Sequence, residues 1–285
     1  MQVRSLHIFT EKNICRWLQR SAITLMLPHG YDGAGPEHSN GRIERFLALC
    51  DDDPYNPVPS DETDTRTRQA QDCNLQVVYP TTPANYFHVL RRQLHRDFRK
   101  PLVLFNSKSL LRHPMARSTL DEMGPDTRFK KLIPEKGEGL FSSEKIIRLI
   151  FCSGQIYYAL YRARQANKLR NVAISRIEQL SPFPFDQFLR ECDRYPKAEI
   201  VWCQEEPLNL GMWTYVEPRM EATLARLNSK WHAGKRPRYA GRRPTAAVAT
   251  GYKKQHLEEE YALIGEALYG RPMLAKSVEN GSPIF

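Results

Sequence analysis

Long apolar runs are missing from this sequence. The longest, residues 22–27 and 146–152, are each interrupted by a polar or charged residue. A bilayer-spanning helix needs about 20 apolar residues in a row, so no membrane span is expected. Paired cysteines are missing too. None of Cys15, Cys50, Cys73, Cys152, Cys192 and Cys203 forms a C-x-x-C pair, and no histidine stands near them at finger spacing. That argues against a zinc site and favours a reducing compartment over a disulfide scaffold. Cys152 and Cys203 end apolar, strand-like runs, where a thiol acts as a small buried hydrophobe. Acid is scarce in two stretches. Asp97 is the only one between Arg91 and Arg117, and none lies between Ala222 and Leu257.

What is there is a globular composition, with 41% hydrophobic and 26% charged residues in 285, enough for two compact units. The net charge of +10 permits nucleic acid, anionic membrane or phosphorylated small molecules as partners. No aromatic–basic interleaving or recognition-helix pattern supports nucleic acid, and the basic runs read as well as solvated faces. The first 27 residues carry Arg4, Lys12, Arg16 and Arg20 against Glu11, a weak likeness to an organellar transit peptide.

Hydrophobic periodicity predicts alternating strands and helices. The first unit reads as a strand at 22–27, a helix over 39–50, a polar loop over 51–72, a strand at 75–79, a helix from 83 to 96 and a strand at 102–105. Thr82 followed by Pro83 makes a sound helix start. Tyr86, Val89, Leu90 and Leu94 are expected on that helix's inward face. Residues 119–145 read as a linker with a short strand near 129–133. The second unit reads as strands at 146–152, 172–177, 199–203 and 238–240 with helices at 155–167, 185–194, 211–227 and 254–269. Such alternation implies an α/β fold of two units, each with a mostly parallel sheet flanked by helices. Ligands of parallel sheets sit beyond the carboxyl ends of the strands. Those ends carry His29-Gly30, Ser153-Gly154, Glu178-Gln179 and Gln204-Glu205-Glu206.

Three constellations carry chemistry. The segment Leu-Pro-His-Gly-Tyr-Asp-Gly-Ala-Gly-Pro-Glu-His, residues 27–38, holds three glycines that admit close backbone approach. Its His29 and His38 suit proton transfer near neutral pH, and a loop that merely satisfies its own backbone is the alternative. No metal-ligand cluster accompanies it. Arg91 and Arg92, on one helix with Lys108 and Arg112 a strand further on, suit an anion or a solvated face equally. Glu205 and Glu206 suit a general-base pair, a helix cap or an ion pair across an interface.

Six stretches resemble the E1 component of 2-oxoglutarate dehydrogenase, in that family's order from Trp17 to Tyr269. They are the loop above with Ser39, Thr-Pro-Ala-Asn-Tyr-Phe-His-Val-Leu-Arg-Arg-Gln from Thr82, Arg-Lys-Pro-Leu-Val from Arg99, Lys-Ser-Leu-Leu-Arg-His-Pro from Lys108, Arg-Ile-Glu-Gln-Leu-Ser-Pro-Phe-Pro from Arg176, and Trp-Cys-Gln-Glu-Glu-Pro-Leu-Asn from Trp202. The resemblance implies a thiamine-diphosphate enzyme of the transketolase-like superfamily. The family is homodimeric in the mitochondrial matrix, decarboxylates 2-oxoglutarate and passes a succinyl group to lipoyl groups on the E2 succinyltransferase. It further implies that His29 lines the substrate pocket, that His38 belongs to the same motif, and that Arg91, with Arg92 beside it, corresponds to an acetyl-coenzyme A regulatory site of bacterial relatives.

The resemblance starts late in the family's sequence. No Gly-Asp-Gly with a downstream Asn, which would hold magnesium and diphosphate, is found, nor the glutamate that activates the aminopyrimidine ring. The chain is therefore expected to comprise an unmatched 1–15, the back of a pyrimidine-binding domain over 16–118, the linker 119–145, a C-terminal domain over 146–270 and a disordered tail, 271–285. It reads as a truncated gene product, a fragment or one piece of a split enzyme. It is expected to be inactive alone and to leave apolar sheet edges open. A non-catalytic dimerisation or regulatory module derived from that enzyme is the alternative.

Overall fold

The structure is a computed structural model that describes residues 20–31, 35, 40–55, 69, 70, 72–226, 232 and 234–272. The readings of residues 1–15, of most of the loop 51–72 and of the tail, together with Cys15 and His38, fall outside those residues. In chain order the elements are β1 (Thr24–Pro28), α1 (Ile43–Leu47), β2 (Gln76–Val78), α2 (Pro83–His95), β3 (Leu102–Asn106), β4 (Leu132–Ile133), β5 (Arg148–Cys152), α3 (Ile156–Ala166), β6 (Val172–Ile177), β7 (Gln179–Ser181), α4 (Phe185–Arg194), β8 (Glu199–Pro207), α5 (Trp213–Leu224), β9 (Arg238–Arg242) and α6 (Lys253–Tyr269).

Two sheets result, ordered β1-β3-β2-β7 and β4-β6-β5-β8-β9. β3 lies between β1 and β2, parallel to both, and β5 pairs parallel with β6 and β8, which pairs parallel with β9. The two antiparallel additions are β7 on β2 and β4 on β6. β7 was not anticipated. It leaves β6 after the single residue Glu178, yet it joins the first sheet, so one chain segment stitches both sheets together. Three residues are too few for periodicity to register.

Alternation along the strands sorts the core. Leu27, Val77, Val103 and Phe105 of the first sheet and Leu149, Phe151 and Trp202 of the second share one buried cluster with α1, α4 and α5. Their neighbours face outward, Val78, Leu102 and Leu104 under α2, and Ile150, Cys152, Val201 and Cys203 under α3 and α6. A period of two in a sheet covered on both faces requires this pattern.

α2 begins as its sequence dictates, with the Thr82 side chain accepting from Asn85 N and Pro83 in the first turn. Its inward face keeps Tyr86, Val89 and Leu90 of the expected stripe but not Leu94. Leu94 is 78% exposed, whereas Asn85, His88 and Gln93 are buried beside Val89. Hydrogen bonds draw those polar side chains inward: Asn85 Nδ2 donates to Lys130 O, His88 Nε2 meets Glu122 O, and Gln93 Nε2 donates to Lys100 O. Satisfied polar groups are thereby admitted to a face the apolar stripe does not fill. The segment 119–145 packs on this face through Phe129, while its Leu132 joins the core shared by the two sheets. Among the described residues β1 is an edge strand, with Ile23 45% and Met26 50% exposed.

Candidate active site

β1 delivers His29 to the point where the two sheets meet. The His29 amide donates to Asn106 O at 3.0 Å, continuing the β1–β3 ladder, and the Tyr79 hydroxyl donates to His29 O at 2.6 Å. The ring is enclosed by Tyr79 and Phe105 in edge-on contact and is 1% exposed. Its Nδ1 accepts from Gly41 N at 3.3 Å, and its Nε2 lies 2.6 Å from Glu206 Oε1 on β8. An accepting Nδ1 leaves the proton on Nε2, so the imidazole donates to the carboxylate across the domain junction. Glu206 is 3% exposed, and its Oε2 is buried without a hydrogen-bond partner.

Glycine makes this approach possible at two positions. A Cβ on Gly41 would stand 2.8 Å from the Phe105 ring and 2.9 Å from Pro28 O. One on Gly154, at φ +78°, would stand 2.3 Å from the Tyr79 ring.

Around the pair the strand ends converge. Gln155, after β5, donates from Nε2 to Glu205 Oε1 at 3.1 Å and accepts from the hydroxyls of Ser107 and Ser109 beyond β3. Burial, with Glu206 and Glu260 nearby, raises the Glu205 carboxyl to about 8. Arg242 of β9 donates to Glu205 O, pairs with Glu259 and lies 4.5 Å over the ring of Tyr31, which stacks on His256. Burial raises the Tyr31 hydroxyl to about 12. Tyr31, Gln155, Arg242 and His256 escaped sequence reading. Arg242 sat in an acid-poor run that reads as a solvated face, yet it is 4% exposed. Of the alternatives for the Glu205-Glu206 pair, Glu206 takes the pairing across the junction, through a hydrogen bond from a histidine rather than an ion pair with an arginine.

Arg91 and Arg92 border a separate cleft of about 690 Å³ with Arg96, Arg128 and Lys131. Lys108 and Arg112 do not line it. Arg91 donates to the carbonyls of Gly124, Pro125 and Thr127. Arg92 donates to Gln179 Oε1 and Gln76 Oε1 and lies 4.3 Å over the Phe129 ring. Its contacts there are neutral, and burial followed by Arg96 pulls its pKa well below the arginine range. Asp126 also lines this cleft, but Arg91 and Arg92 donate there only to carbonyls and amides, and a rim so rich in cations suits an anion.

Two mostly parallel sheets with their strand ends meeting at one buried histidine–glutamate pair define an α/β protein of the transketolase-like class. Residues 7–114 match the family described as transketolase, pyrimidine binding domain, and residues 117–268 match 2-oxoglutarate dehydrogenase C-terminal. The chain belongs to that 2-oxoglutarate dehydrogenase family. It is 53% identical over 256 residues to the mitochondrial 2-oxoglutarate dehydrogenase of Schizosaccharomyces pombe, covering 89% of this chain and 25% of the relative. For the Saccharomyces cerevisiae protein of the same name the identity is 52% over 252 residues, 87% and 24% of the two chains. For that of Dictyostelium discoideum it is 45% over 260 residues, 90% and 25%. The chain thus spans about a quarter of the length of these relatives.

The family implies thiamine diphosphate with magnesium. Among the described residues no group of three His, Cys, Asp or Glu side chains is placed to hold a metal ion. Nearest the strand ends, Glu206 is engaged by His29 and Glu205 by Gln155. These residues do not fit the metal–diphosphate end of the cofactor.

Proposed function

We propose that this chain is the C-terminal portion of a mitochondrial 2-oxoglutarate dehydrogenase E1, acting in the tricarboxylic acid cycle. In that reading residues 16–118 and 146–270 are its two domains. The whole enzyme is a matrix homodimer that decarboxylates 2-oxoglutarate and hands a succinyl group to E2 lipoyl groups. The loop over 27–38 serves the substrate, with His29 and His38 as its functional histidines. Thiamine diphosphate and magnesium are held by parts of the enzyme other than the residues described here, so the chain alone does not turn over. The observation that carries this reading is the His29–Glu206 pair at the carboxyl ends of both sheets, in a chain about half identical to a protein named 2-oxoglutarate dehydrogenase. Replacing the matching residues of the Schizosaccharomyces pombe enzyme with this chain tests it. The chimera is expected to oxidise 2-oxoglutarate with ferricyanide, and a folded, cofactor-binding chimera without turnover would overturn the assignment.

A regulatory contribution is favoured by the arginine cleft. Acetyl-coenzyme A is the anion proposed for Arg91 and Arg92. Calorimetric titration of the chain is expected to give binding that weakens with salt and is lost in Arg92→Ala. Equal binding by that variant would remove the cleft from the reading.

A further inference from the structure

His29 has no free ring atom with which to meet a substrate. Nε2 faces Glu206, Nδ1 faces Gly41, Tyr79 and Phe105 pack its edges, and the residue is 1% exposed. What these contacts do is mechanical. The His29 backbone is fixed at both its amide and its carbonyl, by Asn106 O and by the Tyr79 hydroxyl. Its side chain then reaches across to Gly41, twelve residues on, which is wedged between Phe105 and Pro28 O. Both feet of the glycine-rich loop are therefore held by one imidazole. Glu206 in turn holds that imidazole from the other sheet. It is rooted in β8, where its carbonyl accepts from the Tyr239 hydroxyl at 2.9 Å. We infer that His29 and Glu206 form a clasp that ties the end of β1 and Gly41 to the C-terminal domain. They are positioning residues rather than groups that exchange protons with substrate. The inference rests on the proposed function only for what the loop serves; the clasp itself stands on the contacts.

Hydrogen exchange at the Gly41 amide, measured on this chain in peptides spanning residues 30–45, reads the clasp without any turnover. Glu206→Ala is expected to speed exchange about tenfold, the effect of losing one buried hydrogen bond. Glu206→Gln keeps an oxygen that accepts from Nε2 and is expected to restore protection to within about threefold of the parent. Unchanged exchange in Glu206→Ala overturns the clasp. So does a Glu206→Gln variant that exchanges as fast as Glu206→Ala, because charge rather than the bond would then matter. Thermal melting of the isosteric Gln variant separates loop release from unfolding. In the chimera, Glu206→Ala is expected to raise KM for 2-oxoglutarate while both limbs of the pH profile of kcat/KM persist; loss of one limb assigns the proton transfer to the pair and overturns the positioning role. A chimera without turnover removes the proposed function and leaves the exchange result standing.

Discussion

At the scale of single residues, buried carboxylates do most of the joining. Glu178 is fully buried at the crossing from β6 to β7 and accepts from Thr81 N at 2.7 Å, Thr81 Oγ1 at 2.6 Å and Asn85 Nδ2 at 3.0 Å. Burial raises its pKa, with Arg176 opposing. Glu178→Ala strands those three donors and is expected to cost about 3 kcal/mol in urea unfolding. Glu205 makes a pH prediction. A carboxyl whose folded pKa lies above its unfolded one binds its proton more tightly when folded, so its contribution favours folding at low pH and is lost as pH rises. With the shift from 4.5 to about 8, that loss spans pH 4.5 to 8. Glu205 is half-buried, which tempers the size. Urea midpoints of the parent are expected to fall across this window relative to Glu205→Gln; parallel curves would contradict the shift. Cys152 and Cys203 are register partners on β5 and β8, fully buried, their thiols pushed up by burial, as inert as their apolar runs suggest.

At the scale of elements, α2 separates pattern from packing. Leu94→Lys is expected to change stability by no more than about 0.5 kcal/mol, because the side chain stands in solvent. Val89→Ala, fully buried under the first sheet, is expected to cost about 2 kcal/mol. Equal effects in thermal or chemical denaturation would return Leu94 to the inward face. Between β5 and α3, Gly154→Ala drives a methyl into Tyr79 and is expected to cost about 2 kcal/mol or more.

At the scale of the whole molecule, the two units are not separable bodies. Their inward sheet faces share one core, and β7 belongs by sequence to the second unit and by pairing to the first. Trp202 and Trp213 lie in that shared core. Tryptophan fluorescence and far-ultraviolet circular dichroism are therefore expected to report a single coincident transition in urea. Two separated transitions would mean that each sheet folds on its own.

The sequence by itself determined the order and type of the larger elements, the strand-end positions where chemistry gathers, and the family. The elements follow from local periodicity and from capping at Thr82, the strand ends from where those periods stop, and the family from the six stretches that resemble it. Tertiary structure alone decided the rest. It left Leu94 in solvent and buried Asn85, His88 and Gln93 of α2 beside the apolar stripe, because carbonyls outside the helix satisfy their side chains. It carried three residues after Glu178 into the other sheet. It brought His29 and Glu206, 177 positions apart, to 2.6 Å. No local pattern encodes a contact of that span, because each side chain is satisfied only by a partner that the other sheet supplies.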